Sequence, residues 1–135
     1  MIFITGAMTQ GKRAFAEKQF AEGPVVWADG ASDTWEACLN AKFCCNFHVL
    51  VRKKLIEIDP EGKQEPEEFA GLLASAFLQS GKTRILVTDE IGCGIVPLDP
   101  FERRYRECTG RVCCSLAGEA EQVWRVVCGL GQRIK

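Results

Sequence analysis

The sequence lacks the features that define several broad classes of protein. No stretch approaches the run of about eighteen apolar residues that spans a membrane, and the first residues do not resemble an export signal. Lysine and arginine total 17 against 18 acidic residues, and this net charge of −1 gives no electrostatic reason to bind nucleic acid or a membrane surface. We therefore expect a cytoplasmic protein with no nucleic-acid partner and no membrane span.

Histidine and zinc-type cysteine motifs are also scarce. The chain has one histidine, His48, and its 8 cysteines include no C-x-x-C spacing, which excludes the usual zinc sites. Cys44–Cys45 and Cys113–Cys114 are adjacent pairs inside a predicted strand and a predicted helix. Without an export signal we expect reduced thiols that pack as small apolar side chains, with disulfide or redox roles as the alternative.

The most informative feature present is a glycine-bounded loop at the N-terminus. The apolar run 1–5 predicts a buried strand, and residues 6–13 follow it as Gly6, Ala7, Met8, Thr9, Gln10, Gly11, Lys12 and Arg13. This arrangement follows the phosphate-binding pattern G-x-x-x-x-G-K-[ST], in which glycines let backbone N–H groups face a phosphate and the lysine adds a full charge. An ordinary strand-to-helix turn with a solvated lysine is the alternative.

Arg13 occupies the position of the hydroxyl residue that normally binds magnesium. Losing one such charge-assisted contact costs about 1.5–3 kcal/mol, roughly ten- to hundredfold in affinity. The guanidinium either contacts a phosphate and replaces some of the metal's charge, or it points to solvent.

The rest of the chain alternates between strand and helix patterns. Apolar patterning predicts strands and helices in turn, in the following order: strand 1–5, helix 12–21, strand 25–28, helix from Ser32 or Asp33 to 39, strand 42–46, helix 47–58, helix 66–80, strand 84–88, helix 99–117 and strand 122–128. The helix over 66–80 has an apolar stripe of Phe69, Leu72, Leu73, Ala76 and Phe77. This order and the length of 135 residues predict a single domain over 1–135, an α/β three-layer sandwich of the P-loop type, with a mostly parallel sheet of about five strands.

Ligands of such sheets collect beyond the carboxyl ends of the strands. Three segments meet there: the glycine loop, residues 46–48, and the pair Asp89–Glu90 after the fourth strand. This convergence predicts a nucleotide site at this edge of the sheet.

Several motifs resemble the bifunctional adenosylcobinamide kinase/adenosylcobinamide-phosphate guanylyltransferase family of cobalamin biosynthesis. They are GAMTQGKRAFAE (6–17), VTDEIGCGIVP (87–97), the helix with Arg103, Arg106 and GRV (110–112), and QVWRVVCGLGQRIK (122–135). The middle of the chain resembles the family poorly. The resemblance implies a P-loop homo-oligomer that phosphorylates the corrinoid adenosylcobinamide with a nucleoside triphosphate and Mg²⁺, then guanylylates it through a histidine.

The family's segment that carries the guanylylated histidine is largely missing here. His48 is therefore the candidate for that role, with a capping or buried structural role as the alternative. The resemblance makes Lys12 and Glu90 catalytic, and Glu90 and Asp89 candidate magnesium ligands. Glu90 has the alternative role of accepting hydrogen bonds from nearby loop N–H groups, and Arg103 and Arg106 either guide phosphates or form a solvated helix face.

Two further functions stay open. A degenerate family member would bind nucleotide or corrinoid without turnover and act as a regulator or an oligomer partner. A P-loop kinase for another small alcohol is the third possibility. The arginine at position 13 favours the degenerate family member, whereas the glycines, Lys12 and Glu90 favour the enzyme.

Overall fold

The computed structural model describes residues 1–83 and 85–135. These residues form six strands and five helices, which in chain order are β1 (Ile2–Thr5), α1 (Lys12–Phe20), β2 (Trp27–Asp29), α2 (Trp35–Asn40), β3 (Phe43–Cys45), α3 (Phe47–Ile58), α4 (Pro66–Ser80), β4 (Ile85–Val87), α5 (Pro100–Glu119), β5 (Gln122–Val127) and β6 (Leu130–Arg133). The α/β architecture is the one that the alternating patterns predicted. The first residue of the predicted fourth strand, Arg84, lies outside the described residues.

The strands form one sheet in the order β2-β3-β4-β1-β5-β6. Neighbours from β2 to β5 are parallel, and β5 and β6 are antiparallel. The loop after β1 is therefore flanked by the ends of β4 and β5. Because β4 and β5 flank β1, residues at the ends of these two strands lie near the glycine loop although they are far from it in sequence.

The sixth strand is a correction to the predicted five. A two-residue turn, Cys128–Gly129, joins β5 to β6, and both residues have positive φ, at 51° and 78°. Such a turn matches the twist of a hairpin, so the chain folds back along the edge of the sheet. The segment 130–133 has little strand-like alternation, which is why its pattern did not predict a strand.

Helices cover both faces of the sheet. On one face, α1 packs through Ala16 and Phe15 against strand residues that include Ile4 and Val126. On the other face, the larger apolar cluster joins the remaining four helices to Phe3 and Leu86. The predicted three-layer sandwich is present, with one helix on one side and four on the other. None of the helices in the described residues is long and apolar enough to cross a membrane.

The helix over 47–58, which had an ambiguous pattern, forms with the predicted bounds.

Other details differ. The second strand begins at Trp27 rather than 25, and α2 is capped by Thr34, whose hydroxyl accepts the N–H of Ala37 at 3.2 Å, and not by Ser32 or Asp33. On α4 the buried face includes Ala70 and Ala74, whereas Leu72 is 55% exposed, because this helix packs on α5 as well as on the sheet.

All eight cysteines are free. Cys38, Cys44, Cys45 and Cys108 are buried in the apolar core, as small apolar side chains would be. Cys93, Cys114 and Cys128 are exposed instead, so packing does not account for them.

A buried carboxylate closes the loop between α3 and α4. Asp59 accepts the N–H groups of Lys63 at 2.7 Å and Gln64 at 3.2 Å, and it forms an ion pair with Arg104 of α5. Burial opposes ionisation of this carboxyl, but these donors outweigh burial and lower its pKa. The ion pair attaches the loop to α5.

We expect Asp59→Ala to lower the free energy of unfolding by about 3–5 kcal/mol, because it leaves the Arg104 guanidinium buried without its carboxylate. Urea denaturation measures this change. The matched control is Glu61→Ala, which removes an exposed ion pair with Lys63 and should change stability by less than about 1 kcal/mol. Because folding lowers the pKa of Asp59, its contribution is present above the unfolded pKa of about 3.9 and is lost as pH falls below that value. Equal losses in the two variants would contradict the role of Asp59.

Candidate functional site

The loop between β1 and α1 has the tight curvature expected of a phosphate-binding loop. Gly6, Thr9 and Gly11 have φ values of 151°, 60° and 80°. A Cβ on Gly6 would lie 2.4 Å from the carbonyl oxygen of Val126, and one on Gly11 would lie 3.3 Å from the Cα of Gly129. Both glycines are thus needed to seat the loop against the β5–β6 hairpin.

The start of α1 carries positive charge where helices usually carry negative charge. Its first turn has no acidic residue and begins with Lys12 and Arg13. The helix dipole disfavours cations at a helix N-terminus. The positive end of the dipole and the two cations together attract an anion to this position. The arrangement suits a bound phosphate.

Lys12 points into the loop and not into solvent. Its side chain is 6% exposed, and its Nζ lies 2.6 Å from the carbonyl oxygen of Ala7 and 2.6 Å from Oδ1 of Asp89. An ammonium group has three donors. Two of them are used by these described partners, so one donor is left for a ligand. A solvated lysine, the alternative left open by the sequence, does not fit this burial.

Asp89 also contacts the single histidine. Its backbone N–H donates to Nδ1 of His48 at 3.3 Å, and Nε2 of His48 lies 3.9 Å from its Oδ2. Burial lowers the pKa of His48, while the carboxylate of Asp89 acts in the opposite sense. The imidazole is therefore neutral near pH 7. Its Nδ1 lone pair is engaged by the backbone of Asp89.

A cavity of about 600 Å³ connects these groups. Its wall contains the glycine loop from Met8 to Ala14, the end of β3 with the start of α3, and Asp89. The predicted convergence of the loop, residues 46–48 and Asp89 is therefore present. A second cavity of about 650 Å³ lies beside β2, but it contains neither the glycine loop nor any of the predicted site residues.

Asn46 fixes the rim of the cavity between β3 and α3. It has a φ of 52°, and its amide donates to Oδ1 of Asp29 at 2.8 Å. The same segment passes close to Gly30, where a Cβ would lie 2.4 Å from the carbonyl oxygen of Asn46. The ends of β2 and β3 are thereby joined next to His48.

The two neighbouring carboxylates point to different places. Asp89 lines the 600 Å³ cavity, whereas Glu90 forms a two-pronged ion pair with Arg125 of β5, with both N–O distances at 3.0 Å. The backbone N–H of Glu90 also donates to the carbonyl oxygen of Gly6 at 3.0 Å. The sequence analysis missed Arg125. Its signal was only its position on a strand that pairs with β1, where Arg125 lies opposite Thr5.

Arg13 does not point away from the protein. Its guanidinium carbon lies 5.1 Å from the centre of the Trp27 ring on β2, at the edge of the cavity. The indole N–H of Trp27 in turn donates to Glu17 at 2.6 Å. A cation over an aromatic face gives the arginine a stable position beside the loop.

Two arginines of α5, Arg103 and Arg106, bind backbone oxygens. Arg103 donates to the carbonyl oxygens of Pro97 and Leu98, at 2.9 and 2.6 Å, and Arg106 donates to that of Ile95 at 2.8 Å. These contacts hold the loop over 92–98 against α5. Neither arginine lines the 600 Å³ cavity, so the expectation that they guide phosphates gains no support.

A family model described as cobinamide kinase/cobinamide phosphate guanyltransferase (CobU) matches residues 45–134. The chain belongs to this family. The matched range contains His48, Asp89, Glu90 and Arg125. It leaves out the glycine loop, whose likeness to a phosphate-binding loop rests on its glycine and lysine spacing and on its backbone geometry.

Two curated relatives are similar to part of the chain. They are proteins of Salmonella typhimurium and Escherichia coli, each named bifunctional adenosylcobalamin biosynthesis protein CobU, and each is 49% identical over 51 residues. The aligned segment covers 38% of this chain and 28% of each relative. The chain therefore matches well under two thirds of the length of these relatives.

Proposed function

We propose that this chain is a nucleotide-dependent kinase of cobinamide, with adenosylcobinamide as the acceptor and GTP or ATP as the donor. The observation that carries the proposal is the buried contact between Lys12 and Asp89 at the mouth of the glycine loop, in a chain of the cobinamide kinase family. This pair places a mobile positive charge beside the space where the outer phosphates of a nucleotide would lie.

The proposed reaction needs little covalent chemistry from the protein. The acceptor hydroxyl oxygen bonds to the γ-phosphorus as the bond from that phosphorus to the β–γ bridging oxygen breaks. The nucleoside diphosphate leaves with the bonding electrons, and the hydroxyl proton leaves to water. Lys12 and the start of α1 stabilise the charge on the transferring oxygens, and Glu90 holds Arg125 and the carbonyl of Gly6 beside the loop.

The residues present fit a magnesium ion. Within residues 1–83 and 85–135, no group of three histidine, cysteine, aspartate or glutamate side chains is placed to hold a metal. Magnesium bound with a nucleotide typically needs one or two carboxylates, because the phosphates supply further oxygens. Asp89 lines the cavity and provides such a carboxylate, and Glu90 is the second candidate. The ion would neutralise charge on the β- and γ-phosphate oxygens.

The first experiment combines the purified protein with adenosylcobinamide, magnesium and either GTP or ATP, and detects phosphorylated corrinoid by mass spectrometry. We expect product with at least one nucleotide and none without magnesium. Bound nucleotide without product would support the second candidate, a family member that binds without turnover. The observation that favours this second candidate is Arg13 in place of the magnesium-binding hydroxyl.

We expect Arg13→Ser to bind nucleotide about tenfold more tightly than Arg13→Ala in the presence of magnesium and equally tightly in EDTA, because both variants lose the arginine charge and only serine restores a hydroxyl ligand. The loss of the contact with Trp27 should cost only about 0.5–1 kcal/mol of stability. Titration with a fluorescent nucleotide measures both conditions. Arg13→Ala is the matched control, since it removes the arginine without adding a hydroxyl. Equal affinities of the two variants in magnesium would contradict a metal role for position 13.

Guanylyl transfer is the second reaction in the family's name, and His48 is its candidate nucleophile here. Because Nδ1 accepts the N–H of Asp89, that contact has to break before this nitrogen bonds to the α-phosphorus of GTP, as the bond to the α–β bridging oxygen breaks and pyrophosphate leaves. Incubation with GTP tests the role. An acid-labile GMP adduct that is absent in His48→Ala would assign the transfer to His48. If the unmodified protein forms no adduct, His48 is not a nucleophile, and its role is to position Asp89.

We also propose that residues 1–135 act as one nucleotide-binding domain that forms a small homo-oligomer. Support comes from apolar side chains exposed near the β6 edge, where Leu130 is 77% and Ile134 is 62% exposed. Light scattering at several concentrations measures the assembly.

A further inference from the structure

A cleft of about 260 Å³ lies on the far side of Asp89 from the nucleotide cavity. Its walls are the end of β1 at Thr5, the loop from Asp89 to Cys93, and one face of α5. Asp89 lines both the 600 Å³ cavity and the cleft. A group bound in the cleft would therefore lie next to the cavity that contains the glycine loop. The proposed function gives roles to Asp89 and Glu90 in the wall of this cleft, but no ligand has yet been placed in the cleft itself.

A buried hydroxyl in the wall of the cleft has no partner. Thr109 lines the cleft and is 2% exposed, and its Oγ1 has no hydrogen-bond partner among the described residues. A helical threonine commonly bonds to a carbonyl of the preceding turn, and buried polar groups are rarely left unsatisfied. This hydroxyl is therefore available to a polar group of a ligand.

The segment beside the cleft exposes an unusual amount of apolar surface. Ile95, Val96 and Leu98 are 91%, 69% and 95% exposed. The hydrogen bonds from Arg103 and Arg106 to this segment keep its backbone on α5. Arg106 also lines the cleft, which places the apolar side chains at its rim. A fixed apolar surface next to a polar recess suits a ligand with an apolar body and a polar arm.

We propose that the cleft binds the hydroxyl-bearing arm of the acceptor and that the apolar segment 95–98 packs against a face of the acceptor's macrocycle. This inference rests on the proposed function. Pockets that enclose a whole drug-sized ligand occupy about 300–1,000 Å³, so the cleft accommodates a short arm and not a macrocycle. The arm's hydroxyl reaches the nucleotide site past Asp89, and Thr109 hydrogen-bonds a polar group of the arm.

Gly110 allows a direct test, because it lines the cleft and a Cβ there would meet no atom within 4 Å. Gly110→Leu therefore fills the cleft, and leucine favours a helix more than glycine does. The matched control is Gly118→Leu on the same helix, where the added Cβ also meets open space but lies outside the cleft. Thr109→Val is a second variant that removes only the unpartnered hydroxyl.

Binding of adenosylcobinamide is measured by quenching of tryptophan fluorescence, and binding of a fluorescent nucleotide is measured separately for each variant. We expect Gly110→Leu to weaken corrinoid binding at least about tenfold and Thr109→Val to weaken it about fivefold, with changes within about twofold for Gly118→Leu and for nucleotide binding throughout.

Two outcomes would overturn the assignment. Unchanged corrinoid binding by Gly110→Leu would show that the acceptor lies elsewhere, and kinase activity would then still support the proposed function. If the unmodified protein binds nucleotide normally but does not bind the corrinoid, the corrinoid is not its acceptor. That result would refute both this inference and the proposed function.

Discussion

Replacing Lys12 with alanine is expected to lower nucleotide affinity by at least about a hundredfold and to abolish detectable phosphoryl transfer. The side chain is 6% exposed, and its Nζ is held between the loop carbonyl of Ala7 and the carboxylate of Asp89. A charge-assisted hydrogen bond contributes about 1.5–3 kcal/mol, so the single donor that Ala7 and Asp89 leave free accounts for a loss of about a hundredfold near the upper end of this range. Titration of a fluorescent nucleotide and the mass assay for phosphorylated corrinoid measure the two effects.

Lys18→Ala is the matched control, because Lys18 is an exposed lysine on the same helix. It should leave affinity and turnover within about twofold of the unmodified protein. Since Lys12→Ala also leaves Asp89 without its buried partner, thermal denaturation followed by circular dichroism must show that the variant is folded at the assay temperature. A folded Lys12→Ala protein that keeps its nucleotide affinity would refute the assignment of the glycine loop as the phosphate site.

Replacing Asp89 with asparagine is expected to reduce turnover at least about a hundredfold while preserving nucleotide affinity in EDTA. The carboxylate is the candidate magnesium ligand of the nucleotide cavity, so its loss removes the metal's contribution to the transferring phosphate. Without magnesium the same change frees Lys12 and removes a negative charge beside the phosphates. Nucleotide binding in EDTA should therefore be equal or tighter, which separates a metal role from a loss of folding.

Glu90→Gln is the informative comparison, since the sequence placed both carboxylates at one site and the structure pairs Glu90 with Arg125. We expect a smaller loss of turnover in Glu90→Gln than in Asp89→Asn, because the glutamate acts by holding a neighbouring arginine. Initial rates at saturating nucleotide, measured across a range of magnesium concentrations, decide between the two. A larger loss in Glu90→Gln would transfer the metal role to that residue.

The predictions that succeeded rest on local patterns. The helix over 47–58 was predicted because its apolar spacing repeats every three to four residues, and that pattern needs no knowledge of distant contacts. The glycine loop was predicted for a similar reason, since position-specific glycines and a lysine lie within eight consecutive residues of the sequence.

The details that were missed depend on tertiary partners, most of which are distant in the chain. The β6 hairpin forms from a segment with weak alternation because β5 offers it an open edge. The α4 face turns to bury Ala70 and Ala74 because α5 packs there. The ion pair between Glu90 and Arg125 joins residues 35 positions apart. Periodicity cannot reveal such pairs, because it records which side of an element is apolar and not what lies opposite.

The sequence by itself determined the α/β class, the succession of β1 to β5 with their helices, and the position of the glycine loop, because hydrophobic period and glycine placement are local properties. Only the tertiary structure decided that Lys12 binds Asp89, that Arg13 lies over Trp27, and that Thr109, with its unpartnered hydroxyl, lies in the wall of a cleft. These arrangements follow from strand order, which brings the ends of β1, β3, β4 and β5 together.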